Sequence, residues 1–305
     1  MTTPSDFSQS ADRAEPANPD EIVTRAAEGP DVILRYADHA DALIDVFLPA
    51  SLGRPGSPLQ LIVLLHGGFW RAGYDRTHLR PLANALTARG YVVATPEYRR
   101  VGEGGGWPTT AYDVEAALAA LPSLLDSTVP GWVHAATPYV MSGHSAGGHL
   151  ALWAGLRAGP RRIASIVALA PVSDLRYAAS ARMGNGAVID LMGGGPDQLL
   201  DAYAEADALA LLTGDVPVTI IQGTNDAQVA VEMNRAVAAD HADKPGLRYV
   251  ELPGVDHFAL IDPLSTIFES TVLPALSTAS VHSERWVISR CGPWAGGDGR
   301  AGSAG

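Results

Sequence analysis

Six short apolar runs recur along the middle of the chain, Leu61–Leu65, Val92–Thr95, Tyr139–Ser142, Ser165–Ala170, Val218–Gln222 and Tyr249–Leu252, each closed by polar, Gly or Pro positions. Unbroken apolar runs of this length are what a strand buried on both faces requires. Between them the apolar positions take helical spacing, over about residues 78–88, 110–121, 146–157, 229–239 and 264–275. Pro122 is expected to close the second of these, because proline has no N–H to give and its ring crowds the preceding turn. Val32–Arg35 and Ala42–Phe47, separated by the polar turn DHAD, predict an antiparallel entry hairpin. Strands alternating with helices in this way predict an α/β fold, a mostly parallel sheet with helices on both faces.

The rhythm stops between Pro171 and Val216, where RMGNG and LMGGGPD interrupt it. A connection of that length in a compact domain predicts a cap or lid, at about residues 173–214. Residues 1–22 are poor in large apolar groups and are expected to be a disordered arm, and residues 280–305 a flexible Gly/Ala/Ser tail. The folded unit then covers residues 23–279.

With 305 residues, 47% of them hydrophobic, the chain can bury a sizeable core. Its 33 acidic and 21 basic residues leave a formal charge of −12 and no Lys/Arg cluster, which argues against a nucleic-acid partner. No apolar run is long enough to span a bilayer, so no membrane partner is expected either. The single cysteine, Cys291, rules out an intrachain disulfide, and with the polar, acidic N-terminal segment it points to a cytoplasmic protein. A homodimer is left open.

Candidate chemistry lies at strand ends. PYVMSGHSAGGHLALWAGL places a strand, then Gly143-His144-Ser145-Ala146-Gly147, then an apolar helix. This is the setting of a G-x-S-x-G nucleophile elbow, where glycines allow a turn tight enough to expose the serine hydroxyl. A Gly-rich phosphate-binding turn is the bland alternative, but neither G-x-G-x-x-G nor a P-loop lysine is present. A serine attacking a carbonyl creates an oxyanion, which needs N–H groups already aimed at it. His66-Gly67-Gly68-Phe69-Trp70 follows a central strand directly, so the amides of Gly67 and Gly68, with that of Ala146, are the candidate donors.

The base and acid of such a site follow the serine in the chain. Of the downstream histidines, His241 closes a polar helix and His282 lies in the tail, whereas His257 follows a strand through Pro253-Gly254-Val255-Asp256. Asp226, just past the strand VPVTIIQ, is the candidate acid, able to fix the His257 tautomer and stabilise its imidazolium. Asp174 after the preceding strand is the competitor, Asp256 is too close in sequence to support His257 from behind, and each of these aspartates is equally explicable as a turn or cap residue. His66 is expected to hold its loop by hydrogen bonding rather than to do chemistry, and His144 is not needed as a base.

HGGFW, GHSAGG, GTNDAQV and GVDHFALID, in this order, resemble the α/β-hydrolase superfamily, specifically the esterase branch with an H-G-G-x-W loop that includes kynurenine formamidase and bacterial carboxylesterases. PEYRR and GWPTTAYDVEAAL are similar to that branch as well, and the resemblance spans about residues 31–275. It implies Ser145, Asp226 and His257 as a catalytic triad, Gly67, Gly68 and Ala146 around an oxyanion hole, a small ester or amide as substrate and no metal or organic cofactor. Phe69, Trp70, Tyr98 and Trp107 are candidates for an aromatic pocket wall suited to short-acyl esters or aryl formamides, and His144 for a pocket neighbour; core packing explains the aromatics equally well. A prolyl-oligopeptidase-type peptidase and a non-catalytic binding protein on the same fold are the competing functions.

Overall fold

The computed structural model describes residues 19–51, 59–130 and 137–277. Residues 1–18, with most of the expected arm, and the expected tail with His282 and Cys291 lie outside the described residues. An eight-stranded sheet, ordered β1-β2-β4-β3-β5-β6-β7-β8, forms the centre. β1 (Val32–Arg35) and β2 (Leu43–Phe47) are the antiparallel entry hairpin, and β2 pairs antiparallel with β4 (Val92–Pro96). From β4 onward all pairs are parallel: β3 (Leu61–Leu65), β5 (Tyr139–His144), β6 (Ile163–Leu169), β7 (Val218–Gly223) and β8 (Leu247–Leu252). Alternate side chains of one strand enter opposite layers, as the strand period demands. Val63 and Leu65 of β3 join the larger core, while Ile62 and Leu64 join the smaller one on the other face.

The strand order reverses at β3 and β5, which lie side by side with Leu65 opposite Gly143. In open α/β sheets a crevice forms at the carboxyl ends of the strands where the order reverses. Both glycine-rich motifs of this chain leave the sheet there, one from β3 and one from β5.

Two sequence expectations are corrected. The arm was expected to reach residue 22, but α1 (Pro19–Val23) buries Ile22 in the smaller core and Arg25 is paired with Asp262, so order begins before residue 23. Nor does Pro122 end its helix. α2 (Arg80–Thr87) covers β4, and the next helix, α3, runs from Thr109 to Thr128 with the proline inside it. Pro122 cannot bond the carbonyl four residues back, and that oxygen, on Leu118, accepts from Arg162 Nη1 at 3.3 Å instead. Leu121 and Leu125, on either side of the proline, are fully buried, so packing holds the helix together across it.

Candidate active site

The elbow is built by close backbone approach. A Cβ on Gly143 would lie 2.1 Å from the Gly147 carbonyl oxygen, and one on Gly147 would lie 2.3 Å from the carbonyl oxygens of both Leu65 and His66. Only glycine fits either place. Between them Ser145 takes φ 57° and ψ −120°, a conformation costly for a residue with a Cβ. Neighbours over-determine it: Ser145 N donates to Leu169 O (2.8 Å), and Ser145 O accepts from His149 N (3.2 Å) and Val172 N (3.3 Å). Because the obstructing atoms at Gly143 are backbone, Gly143→Ala is expected to destabilise the protein by several kcal/mol, in the range of overpacked cores or more, about 3 kcal/mol. A denaturant midpoint unchanged from the parent would show that the elbow can open to admit a methyl.

Ser145 precedes α4 (Ala146–Ala158), whose first amide, that of Ala146, has no intrahelical acceptor. Beside it lies the loop after β3: a Cβ on Gly67 would be 3.1 Å from Ser145 Cβ and 2.9 Å from His144 O. Among the described residues, the amides of Gly67, Gly68 and Ala146 donate to no protein acceptor. Phe69 and Trp70 are left-handed, with φ 54° and 56°.

What holds this loop is a buried network in which His66 does the loop-holding expected of it, while its partner Glu97 was missed in the sequence. His66 Nδ1 donates to Gly67 O (2.8 Å) and its Nε2 donates to Glu97 Oε1 (2.7 Å), with both side chains 1% exposed. Glu97 Oε2 also accepts from Arg76 N at 3.0 Å. Burial pushes the Glu97 carboxyl up, but the His66 charge and hydrogen bond, the Arg76 amide and Arg100 outweigh it and bring its pKa to about 2. A charged residue ending an otherwise apolar strand, in VVATPEYRR, was the available signal.

Two aromatics proposed from sequence as pocket walls are core instead. Tyr98 is fully buried, stacked on His66 at 4.2 Å, and its hydroxyl donates to His66 O (2.7 Å). Trp70 is 1% exposed and meets the His149 ring edge to face at 5.6 Å. Both support the loop from below. Phe69 packs beside Gly184, and the His144 ring lies 4.3 Å from that of His257.

His257 and Asp226 come together from the ends of β8 and β7: His257 Nδ1 donates to Asp226 Oδ2 at 2.7 Å, with the carboxylate fully buried. The other oxygen, Oδ1, accepts from the amides of Gln228 (2.8 Å) and Val229 (2.7 Å). Burial pushes the Asp226 carboxyl up, yet the His257 hydrogen bond and charge with these two amides hold it below the usual carboxylate range. His144, next to the serine in sequence, donates from Nε2 to His257 O at 3.0 Å, and the two rings are 4.3 Å apart. Burial and the His257 charge push the His144 imidazole well below its usual range, so it serves as a neutral donor. Among the described residues no hydrogen bond joins Ser145 Oγ to His257. In unliganded sites that contact commonly tightens only with substrate.

The competing aspartates are turned to local work. Asp174 caps α5 (Leu175–Ser180) by accepting from Tyr177 N at 2.9 Å, and Asp256 accepts from the amides of Phe258 (2.8 Å) and Ala259 (3.0 Å).

The long segment before β7 folds as α5, α6 (Met183–Met192) and α7 (Leu200–Ala206) against the loop and α4. His149 and Trp153 of α4 donate to the last carbonyls of α7, Ala206 O (3.0 Å) and Glu205 O (2.8 Å). Arg71 pairs with Asp190 of α6 at 2.7 Å, and the Phe69 ring fills the space beside Gly184, where a Cβ would lie 2.4 Å away.

Several buried groups set the acid limb of stability, His78 and His144 with His149 among the histidines and Glu97 with Asp226 among the carboxylates, and two of them show the sign. His149 is fully buried and its pKa is lowered to about 4, chiefly by desolvation, from 6.5 when unfolded. The unfolded chain therefore takes up a proton first, and stability drops as pH falls from about 6.5 to about 4. Glu97, lowered from 4.5 to about 2, contributes stability that is complete above 4.5 and lost as pH falls toward 2. A thermal midpoint that declines steadily from pH 6.5 downward is the expected result, and a midpoint flat to pH 4 would contradict the burial of His149.

A family model, BD-FAE, matches residues 44–240, which covers β2 to the end of the helix after β7. The chain belongs to the BD-FAE family. It is an α/β-hydrolase esterase family, and the sheet order and elbow described above are those of that fold. This BD-FAE chain is also similar to Esterase LipC of Mycobacterium tuberculosis (strain ATCC 25618 / H37Rv), 24% identical over 264 residues that cover 76% of this chain and 60% of that protein. The chain thus spans less than two thirds of that curated relative. Among solved structures it is similar to esterase B from Lactobacillus Rhamnosis (HN001), with TM-score 0.68, 20% identity and coverage of 84% of this chain and 88% of that one. A truncated carbohydrate esterase from gut microbiota gives TM-score 0.67 at 17% identity, covering 83% and 97%. Propionate-bound Est2 from Thermogutta terrifontis gives 0.59 at 20%, covering 80% and 91%. At these identities the likeness establishes the fold. No helix among the described residues is long and apolar enough to cross a membrane.

Proposed function

We propose that the chain is a serine esterase that cleaves small carboxylic esters through a covalent acyl-enzyme on Ser145. The observation that carries this is the meeting of four strand ends, those of β3, β5, β7 and β8: His257, held by Asp226 at 2.7 Å, packs on the residue before Ser145, while Gly67 packs on Ser145 itself. In the first step His257 Nε2 takes the hydroxyl proton as Ser145 Oγ attacks the ester carbonyl. Asp226 accepts the hydrogen bond from Nδ1–H throughout, which keeps Nε2 free to act as base and stabilises the imidazolium. The free amides of Ala146 and of the Gly67–Gly68 loop receive the oxyanion. His257 then protonates the leaving alcohol, and water repeats the cycle to release the acid.

The Phe69 ring, which follows the H-G-G loop and packs beside Gly184, would narrow the crevice and favour small acyl groups. The formamide reading rests on the H-G-G-x-W likeness alone and is the second choice. A series of p-nitrophenyl esters from acetate to octanoate, assayed beside N-formylkynurenine, is expected to give the highest kcat/KM for acetate or butyrate. Turnover of the formamide above every ester would reverse the order of the two readings, and inactivity on all of them would reject esterase chemistry.

A further inference from the structure

Asp226 Oδ2 receives two donors. Besides His257 Nδ1, Gln222 Nε2 donates to it at 2.9 Å from four residues upstream, at the end of β7. The Gln222 side chain is fully buried, and its orientation is dictated from behind: its Oε1 accepts from Asn234 Nδ2 at 2.7 Å. Asn234, on α8 (Val231–Asp240), is fixed in turn, because its Nδ2 also donates to Pro171 O (3.0 Å) and its Oδ1 accepts from the buried hydroxyl of Ser173. An amide has one donor end and one acceptor end, so the chain has a direction. Ser173 donates to Asn234, Asn234 to Gln222, and Gln222 to the carboxylate, across β6, α8 and β7. Neither amide can turn round without setting donor against donor and acceptor against acceptor inside the core.

We propose that Gln222, held by Asn234, is a positioning residue that fixes the Asp226 carboxylate and so keeps the His257 ring directed at Ser145. This rests on the esterase reading above. A plain packing role would need only apolar groups of the same volume. A line of fully buried amides ending on the carboxylate that holds His257 is instead what pre-organising that carboxylate requires.

Removing the donor leaves the Asp226 charge less shared, so it holds the His257 imidazolium more tightly, and the base is harder to free. The titratable side chains against His257 are Asp226 at the end of β7 and His144 at the end of β5, with Asp256 preceding it on its own loop. His144 donates to His257 O, and Asp256 accepts from the amides of Phe258 and Ala259, so the substitutions at Gln222 and Asn234 leave these contacts in place.

The test uses Gln222→Met, Asn234→Leu and Ser145→Ala in the full chain, with kcat and KM for p-nitrophenyl acetate followed across pH 5 to 9 and the thermal midpoint recorded. Gln222→Met is expected to lower kcat roughly 10- to 100-fold, the cost typical of losing an outer partner of a functional ligand, with KM changed less than about twofold. Its acid limb of kcat/KM should move up by roughly half a pH unit. Asn234→Leu should shift the limb in the same direction by less, and it decides the matter if Gln222→Met does not fold. Acid limbs and kcat at parent values in the folded variants would overturn the proposal, as would a lowered thermal midpoint with an unmoved limb. Parent-like turnover by Ser145→Ala would instead overturn the esterase reading itself.

Discussion

Replacing Ser145 by alanine is expected to leave folding intact and to lower kcat on p-nitrophenyl acetate by about 10⁴- to 10⁶-fold, the scale of losses when an activated serine is removed. The fold survives because the turn is held by backbone bonds to Leu169, His149 and Val172, none of which uses the hydroxyl. Alanine keeps the Cβ and therefore the same cost at φ 57°. Hydrolysis above the uncatalysed rate should remain, because the amides of the Gly67–Gly68 loop and Ala146 still face the substrate carbonyl. A kcat within tenfold of the parent would mean that another group attacks the ester.

Glu97→Leu is expected to be among the most destabilising single changes near the site, at about 3–5 kcal/mol, because it strips the partner from buried charged groups. It would leave His66 Nε2 without an acceptor and remove the carboxylate that Arg76 N and Nη1 approach at 3.0 and 3.5 Å. Arg100 keeps Asp41 and Glu103, which places the cost at the lower end of that range. Glu97→Gln should cost less, since its amide oxygen can still accept from His66. Chemical denaturation of the three proteins measures the difference. A loss below about 1 kcal/mol for the leucine variant would show that the network carries little of the fold's stability.

All eight strands were legible in the sequence to within two residues at each end, because each is an apolar run bounded by polar or turn-forming positions. The elbow and the H-G-G loop were legible for a related reason: glycines directly after apolar strands record a close approach of backbones. Pro122 misled because helix-ending chemistry is local, whereas the Arg162 side chain that satisfies Leu118 comes from another part of the chain. Trp70 and Tyr98 read as pocket walls because aromatics near a site look alike in sequence whether they face substrate or carry the loop from beneath. Glu97, Gln222 and Asn234 escaped notice since each acts through another side chain and stands at no motif position. The helical segment between β6 and β7 was visible as an interruption in the rhythm, but not its left-handed run at Arg182, Gly184, Asn185 and Gly186. Arginine at φ 51° runs against local preference, so no residue-type signal announces it.

The proposed acyl transfer needs His257 and Ser145 to act as one unit. Labelling the intact protein with a fluorophosphonate and mapping the adduct by mass spectrometry tests this most directly. One adduct per chain, on the peptide containing Ser145 and lost in both Ser145→Ala and His257→Ala, is the predicted result. An adduct on a different serine, or undiminished labelling of Ser145 in His257→Ala, would contradict it.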